Sequence, residues 1–237
     1  MGLMARKLEG LRARVMPFLL DWRRVGKYYS QFDQDRWVIR DVFGGKRNGY
    51  FVEAAAAGGI ITSNTYVLEK YFGWNGICVE ANDEFFAELV RNRGCVREHY
   101  CLADGPGSVW FFKQGYTSGM AGLPDGGPTK DQLVEQGFEL IEVPTISLAD
   151  LLEKHSAPSR IDYLSLDIEG SEELVLRKFP FERYVFNVIT IERPNDFLTG
   201  LLAKEGYIFT RAAGVDACYI HQSFLSATGG RPLARTR

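Results

Sequence analysis

Residues 162–173 read Asp-Tyr-Leu-Ser-Leu-Asp-Ile-Glu-Gly-Ser-Glu-Glu. The apolar run Tyr163 to Leu166 predicts a strand buried on both faces, and Gly170-Ser171 turns it into a helix from Glu172. A strand of that kind needs helices over both faces, which commits the chain to a layered α/β architecture. The same segment delivers two carboxylates, Asp167 and Glu169, to the strand's carboxyl end, the edge where open α/β sheets hold their ligands.

The pattern recurs along the chain. Tyr50 to Val52 predicts a short strand, Ser63 to Phe72 a helix, Gly76 to Val79 a second strand, and Asn82 a cap on a helix running to about Arg91. Val96 to Leu102 is expected to be a weaker third strand, and Gly107 to Phe112 a hairpin strand after the Asp104-Gly105 turn. Ser147 caps a helix through Lys154, Glu172 to Lys178 forms another, Val185 to Ile191 is an apolar strand, and Phe197 to Lys204 is a helix. Tyr207 to Phe209 and Ala217 to Ile220 then make two strands joined at Gly214. The alternation predicts a mostly parallel sheet with helices on both faces and one antiparallel edge.

Upstream, Gln31 to Phe43 reads as an amphipathic helix ended by Gly44-Gly45. Before it, Leu3, Leu8, Leu11, Val15, Phe18, Leu19 and Trp22 recur at helical spacing among basic residues, with a kink at Pro17. The expected organisation is an N-terminal helical arm (1–45), a single domain (46–224) and a disordered tail (225–237). The arm is expected to pack on the domain or to join two copies as a homo-oligomer. Gly115 to Lys130, rich in Gly, Pro, Ser and Thr, is expected to be a mobile surface loop that carries acceptor recognition.

Composition excludes several function classes. A length of 237 residues suits one α/β domain, and a net charge of -2 offers no general attraction to nucleic acid. Cys78, Cys95, Cys101 and Cys218 are scattered without metal-ligand spacing, so packed, reduced thiols are expected. No apolar run is long enough for a transmembrane segment, and Met1 to Lys27 lacks the pattern of a secretion signal, so a cytoplasmic location is expected.

Glu53, Glu80, Asp167 and Glu192 all fall at carboxyl ends of predicted strands, and gathered acids on one rim argue for a polar ligand site. The first strand-to-helix turn, Glu53-Ala54-Ala55-Ala56-Ala57-Gly58-Gly59, lacks the G-x-G-x-x-G of dinucleotide enzymes. It fits the looser acid-x-small-x-x-x-Gly turn of S-adenosylmethionine sites. Glu80, 27 positions after Glu53, is placed to accept both hydroxyl protons of a ribose.

A set of blocks in order from about Ser30 to Phe224 carries a family likeness. They are Ser30-Gln31 with Asp35, Gly49 to Glu53, Ser63-Asn64-Thr65-Tyr66 with Leu68-Glu69, Gly73-Trp74-Asn75-Gly76 to Glu80, Asp162 to Glu172, and Val215-Asp216 to Phe224. Together they resemble the FkbM family of S-adenosylmethionine-dependent methyltransferases. The resemblance implies a class I, Rossmann-like methyltransferase fold: a mostly parallel seven-stranded sheet with one antiparallel strand. It also implies O-methylation of a hydroxyl on a sugar or natural-product-like small molecule. Carried over by position, Glu53, Ala55, Gly59, Ser63 and Asn64 would hold the methionine end of the cofactor. Glu80 would take the ribose, Leu102 and Asp104 would border the adenine, and Glu192 and Asn195 would lie on the acceptor side. Ala55 stands where the family carries Gly, and Gly58 where it carries a polar residue.

An alcohol must lose a proton as its oxygen is methylated, which makes Asp167 the first candidate base, Glu169 the second and His221, at a predicted strand end, a minor one. Asp167, Glu169 and Glu192 together could ligate a divalent cation through oxygen. Two rival readings stand beside this one: a degenerate member that binds a ligand or partner without turnover, and nitrogen methylation of a peptide side chain.

Overall fold

A computed structural model describes residues 26–123 and 126–228. The expected N-terminal helix over Leu3 to Trp22 lies outside the described residues. A short α1 (Gln34–Arg36) runs directly into a π-helical segment (Trp37–Val42), so the single amphipathic helix read from Gln31 is shorter and wider than its periodicity implies. Asp33, at φ 61°, turns the chain just before it. The buried Asp35 carboxylate fixes the entry, accepting from the backbone N–H of Tyr29 (2.8 Å) and Arg36 (2.7 Å) and from the Ser30 hydroxyl (2.5 Å).

The main sheet begins with β1 (Tyr50–Ala54), α2 (Tyr66–Phe72), β2 (Asn75–Val79), α3 (Asp83–Asn92) and β3 (Val96–Glu98). Its other half is β8 (Arg160–Leu166), α6 (Glu172–Leu176), β9 (Val185–Glu192), α7 (Asp196–Lys204), β10 (Tyr207–Ala213), β11 (Asp216–His221) and α8 (Gln222–Ala227). The strand order is β10-β11-β9-β8-β1-β2-β3, with β11 antiparallel to both neighbours and every other pairing parallel. The chain steps outward from β1 to β3 and returns on the other side of β1 at β8, so the reversal of strand order falls between β1 and β8. Beyond its first residue β8 is buried throughout, and Phe51, Val52, Ile77, Leu164, Phe186 and Ile189 have no exposed surface. α8 carries the fold past residue 224, where the sequence predicted a disordered tail.

Between the halves lies a second sheet, of which the sequence foretold the hairpin strand over Gly107 to Phe112 but not the sheet itself. It is formed by β4 (Cys101–Ala103), β5 (Gly107–Lys113), β6 (Gly119–Met120) and β7 (Glu139–Ser147) in the order β4-β7-β5-β6, with α4 (Lys130–Glu135) before β7 and α5 (Leu148–Lys154) after it. The expected strand from Val96 to Leu102 is therefore two strands in two sheets. The supposed loop from Gly115 contains β6, whose two residues are buried.

The Gly-Trp-Asn-Gly block serves this framework. Gly73, at φ 68°, ends α2 by donating to the carbonyls of Glu69 and Leu68, and the Trp74 indole donates to the Lys46 carbonyl at 2.7 Å. Gly76 passes so near the Phe51 carbonyl that an added Cβ would lie 2.1 Å from it. Asp162, at the opposite end of β8 from the acid rim, accepts from Lys46 Nζ (2.7 Å), the Tyr50 N–H (3.0 Å) and Asn187 Nδ2 (3.0 Å).

Candidate active site

The parallel strands deliver their carboxyl ends to one edge, and a cavity of about 410 Å³ opens there. Glu53, Ala55, Ser63, Asn64, Glu80 and Leu102 line one side of it. Asp167, Glu169 and Glu192 line the other. Its volume falls in the range of small-molecule sites.

Glu53 is not free to reach a ligand. Its buried carboxylate accepts from the Ser63 hydroxyl (3.0 Å), the Asn64 N–H (2.5 Å) and the Thr65 hydroxyl (2.6 Å), and pairs with Arg93 at 3.1 Å. Arg93, whose side chain has no exposed surface, also bonds Glu69, the Gly59 carbonyl and the hydroxyls of Ser63 and Thr65. Those acids hold its guanidinium in the charged form against the cost of burial. Glu53 thus shapes the turn into α2 through a buried hub, whose key member Arg93 no motif in the sequence announced.

Asn64 is the atom at which that hub meets the cavity. Its Nδ2 donates to Ser165 Oγ at 2.8 Å, while its buried Oδ1 has no partner. A buried acceptor without a donor is costly, and a ligand ammonium or N–H would satisfy it. Glu80 is the second contact: one oxygen accepts from the Ala57 N–H and the other from the Asn82 N–H, both at 2.7 Å. Each oxygen retains a lone pair for a hydroxyl donor. Burial raises the Glu80 carboxyl to about 7. The turn between them holds Ala55 at φ 53° and Ala57 at φ 46°.

The acid rim stands opposite. Burial, then the charge and hydrogen bond of Glu192, raise the Asp167 carboxyl to about 8. Glu169 is raised as well, by burial and then by Glu192. One carboxylate oxygen from each of Asp167, Glu169 and Glu192 lies within 4.8 Å of the others. Asp216, at the start of β11, adds a further raised carboxyl and accepts from Gln34 Nε2 at 2.7 Å. Arg193 pairs with Glu192 and also lines the cavity. Glu169 and Arg193 both hold left-handed backbone, at φ 54° and φ 37°.

Four expected site residues lie away from this cavity. His221 ends β11, and because that strand runs against its neighbours its end points to the opposite edge of the sheet. There its ring nitrogens meet Ser223 Oγ and the Glu205 carbonyl. The same reversal brings Asp216 to the rim instead. Asp104 is exposed and paired with Lys178 at 2.8 Å. Asn195 caps α7, accepting from the Leu198 N–H, and donates to Glu173. Gly59, at φ 79°, packs against Arg93 and Leu89 rather than a ligand. The cavity also gains a wall from Tyr116, Ser118 and Met120, in the segment expected to carry acceptor recognition, and from Phe85 and Phe111, which the sequence did not single out. Tyr116 stacks on Phe85 at 5.2 Å between centroids, which places the β5-to-β6 connection over the cavity.

Strand order, the reversal of β11 and a cavity at the β1/β8 switch point define a class I, Rossmann-like methyltransferase fold. A family model described as Methyltransferase FkbM domain matches residues 45–209. The chain belongs to the FkbM family and is an S-adenosylmethionine-dependent methyltransferase. The unpartnered Asn64 Oδ1 and the paired lone pairs of Glu80 fit the methionine and ribose ends of that cofactor. No curated protein matches the chain.

Solved structures offer distant likenesses. Precorrin-6y C5,15-methyltransferase from Geobacter metallireducens GS-15 is 11% identical with a TM-score of 0.40, over 78% of this chain and 85% of that one. An S-adenosylmethionine-dependent methyltransferase from Aquifex aeolicus is 10% identical with a TM-score of 0.37, over 79% and 88%. A methyltransferase from Pyrococcus furiosus is 13% identical with a TM-score of 0.36, over 89% and 96%. The substrates of those enzymes are their own. Among the described residues no helix is long and apolar enough to cross a membrane.

Proposed function

We propose that the enzyme methylates an alcohol oxygen of a sugar-like or natural-product-like small molecule. The observation that carries this reading is Asp167, a carboxyl raised to about 8 by burial and by Glu192, lining the same cavity as Glu80 and Asn64. A base for an alcohol works best when its pKa lies near the working pH, and an ordinary surface carboxylate is too weak.

Bound S-adenosylmethionine supplies an electrophilic methyl group on a sulfonium. Glu80 would hold its ribose hydroxyls, and Asn64 Oδ1 would accept from its α-ammonium. Asp167, once deprotonated, would take the acceptor's hydroxyl proton, and the cofactor would supply the methyl group to that oxygen from its carbon–sulfur bond. Holding the oxygen in line with that bond is where much of the acceleration arises.

Asp167→Asn is expected to lower turnover by about 10²–10⁴-fold while S-adenosylhomocysteine still binds. Methyl transfer to a panel of hydroxyl acceptors, followed by mass spectrometry, checks this, and an Asn variant with full activity would refute the assignment. In the free enzyme kcat/KM should rise with pH toward about 8 and level above it, since the base must be unprotonated.

The 4.8 Å grouping of Asp167, Glu169 and Glu192 supports a second reading, in which a divalent cation polarises the acceptor oxygen. Activity lost on chelation and restored by Mg²⁺ or Mn²⁺ would favour it, and activity indifferent to chelator would remove it.

A further inference from the structure

A second cavity, of about 310 Å³, adjoins the first. Its side-chain walls are Phe112, Met120, Leu123, Pro128 and Leu174, and Glu169 is the single charged side chain among its described lining residues. The rest of the lining is glycine backbone, including Gly170, where an added Cβ would meet Leu123 Cδ1 at 3.7 Å. Met120 and Glu169 line both cavities, so the two spaces meet at the acid rim. β6 runs along this junction, with the Cβ position of Gly119 3.2 Å from the Phe112 ring and 3.9 Å from Glu169 Cβ.

We infer that this cavity receives an apolar substituent of the methyl acceptor, an aryl or short alkyl group carried a few bonds from the reacting hydroxyl. The inference rests on the acceptor alcohol reacting at Asp167. Of the two cavities that meet beside Asp167 and Glu169, the first is the cofactor's, and the second is the one left to receive the remainder of a molecule whose oxygen lies there. In the second a bare polyol would bury hydroxyls against Phe112, Leu123 and Leu174, none of which can bond them. An apolar group gains by leaving water there. The acceptor class is thus an amphipathic alcohol, with its polar end at the rim and its apolar end between β6 and α6.

Binding of 2-phenylethanol and of methyl β-D-glucopyranoside to the full-length enzyme loaded with S-adenosylhomocysteine, read by calorimetry or saturation-transfer NMR, tests this. 2-Phenylethanol should bind at least tenfold more tightly. Leu174→Trp, which fills the second cavity from α6, should weaken it about tenfold or more while leaving S-adenosylhomocysteine affinity and the glucoside unchanged. Leu174→Ala should shift the preference toward the longer 4-phenylbutanol, and this carries the test should the Trp variant fail to fold. Equal binding of the two probes, or aryl binding indifferent to residue 174, overturns the inference while leaving the methyltransferase reading intact. Failure of S-adenosylhomocysteine to bind wild type overturns that reading and the inference with it.

Discussion

Ala55 and Ala57, at φ 53° and 46°, hold a backbone region that costs an L-residue about 1–2 kcal/mol, and Glu169 and Arg193 hold the same region across the cavity. Strain of this kind persists where the surrounding structure over-determines it, here by the Ala57 N–H bond to Glu80. Ala55→Gly should therefore stabilise the enzyme by about 1 kcal/mol, seen as a melting temperature roughly 2–4 °C higher, with cofactor affinity kept. Asp167 carries the opposite kind of cost. Its folded carboxyl is raised from 3.8 to about 8, so its stabilising contribution is complete below about 4 and is lost as pH climbs through 8. Asp167→Asn should accordingly raise the melting temperature relative to wild type at pH 8.5 and much less at pH 5, which a pair of thermal scans would check. Glu80→Gln keeps an acceptor for only one of the two backbone donors, Ala57 and Asn82 N–H, and removes the charge, and should weaken cofactor binding by roughly 10–100-fold in calorimetry. These acids were legible in the sequence because strand ends are marked by the switch from apolar to acidic residues. The strain at Ala55 was legible too, as an alanine where the family carries Gly, whereas that at Ala57, Glu169 and Arg193 was not, since φ leaves no trace in those residue identities.

At the scale of elements, direction decides what periodicity cannot. The sequence marks both ends of β11, but only pairing shows that it runs against β9, with Asp216 beside Glu192, and so exchanges His221 for Asp216 at the rim. Arg93 is another case: a lone arginine after α3 becomes the buried cation joining Glu53, Glu69 and the turn into α2. Arg93→Met should cost about 3–5 kcal/mol by leaving those acids unpaired, measurable as early unfolding in denaturant. The second sheet escaped the sequence for a local reason. β7 carries Pro144, which argues against a central strand, yet β4 pairs only with Thr145 to Ser147, so β7 has an unpaired edge at the proline. The break at His99-Tyr100 is likewise held by tertiary contacts, His99 bonding the Ala81 carbonyl at 3.0 Å and stacking on Phe86.

Across the whole molecule, one cavity gathers Glu80 and Asn64 together with a rim of carboxyls at Asp167, Glu169, Glu192 and Asp216. Such a rim favours a positive ligand, and a cation placed beside it lowers the pKa of Asp167. S-adenosylmethionine and S-adenosylhomocysteine differ by that one charge. The most direct test is calorimetry of both ligands on chelator-treated enzyme at pH 7.5, in buffers of different ionisation enthalpy, with Asp167→Asn as control. Protons released with the sulfonium ligand, fewer with the thioether, and no difference in the Asn variant are the predicted result. Equal proton release from both ligands in wild type would contradict the placement of the acid rim at the transferred methyl.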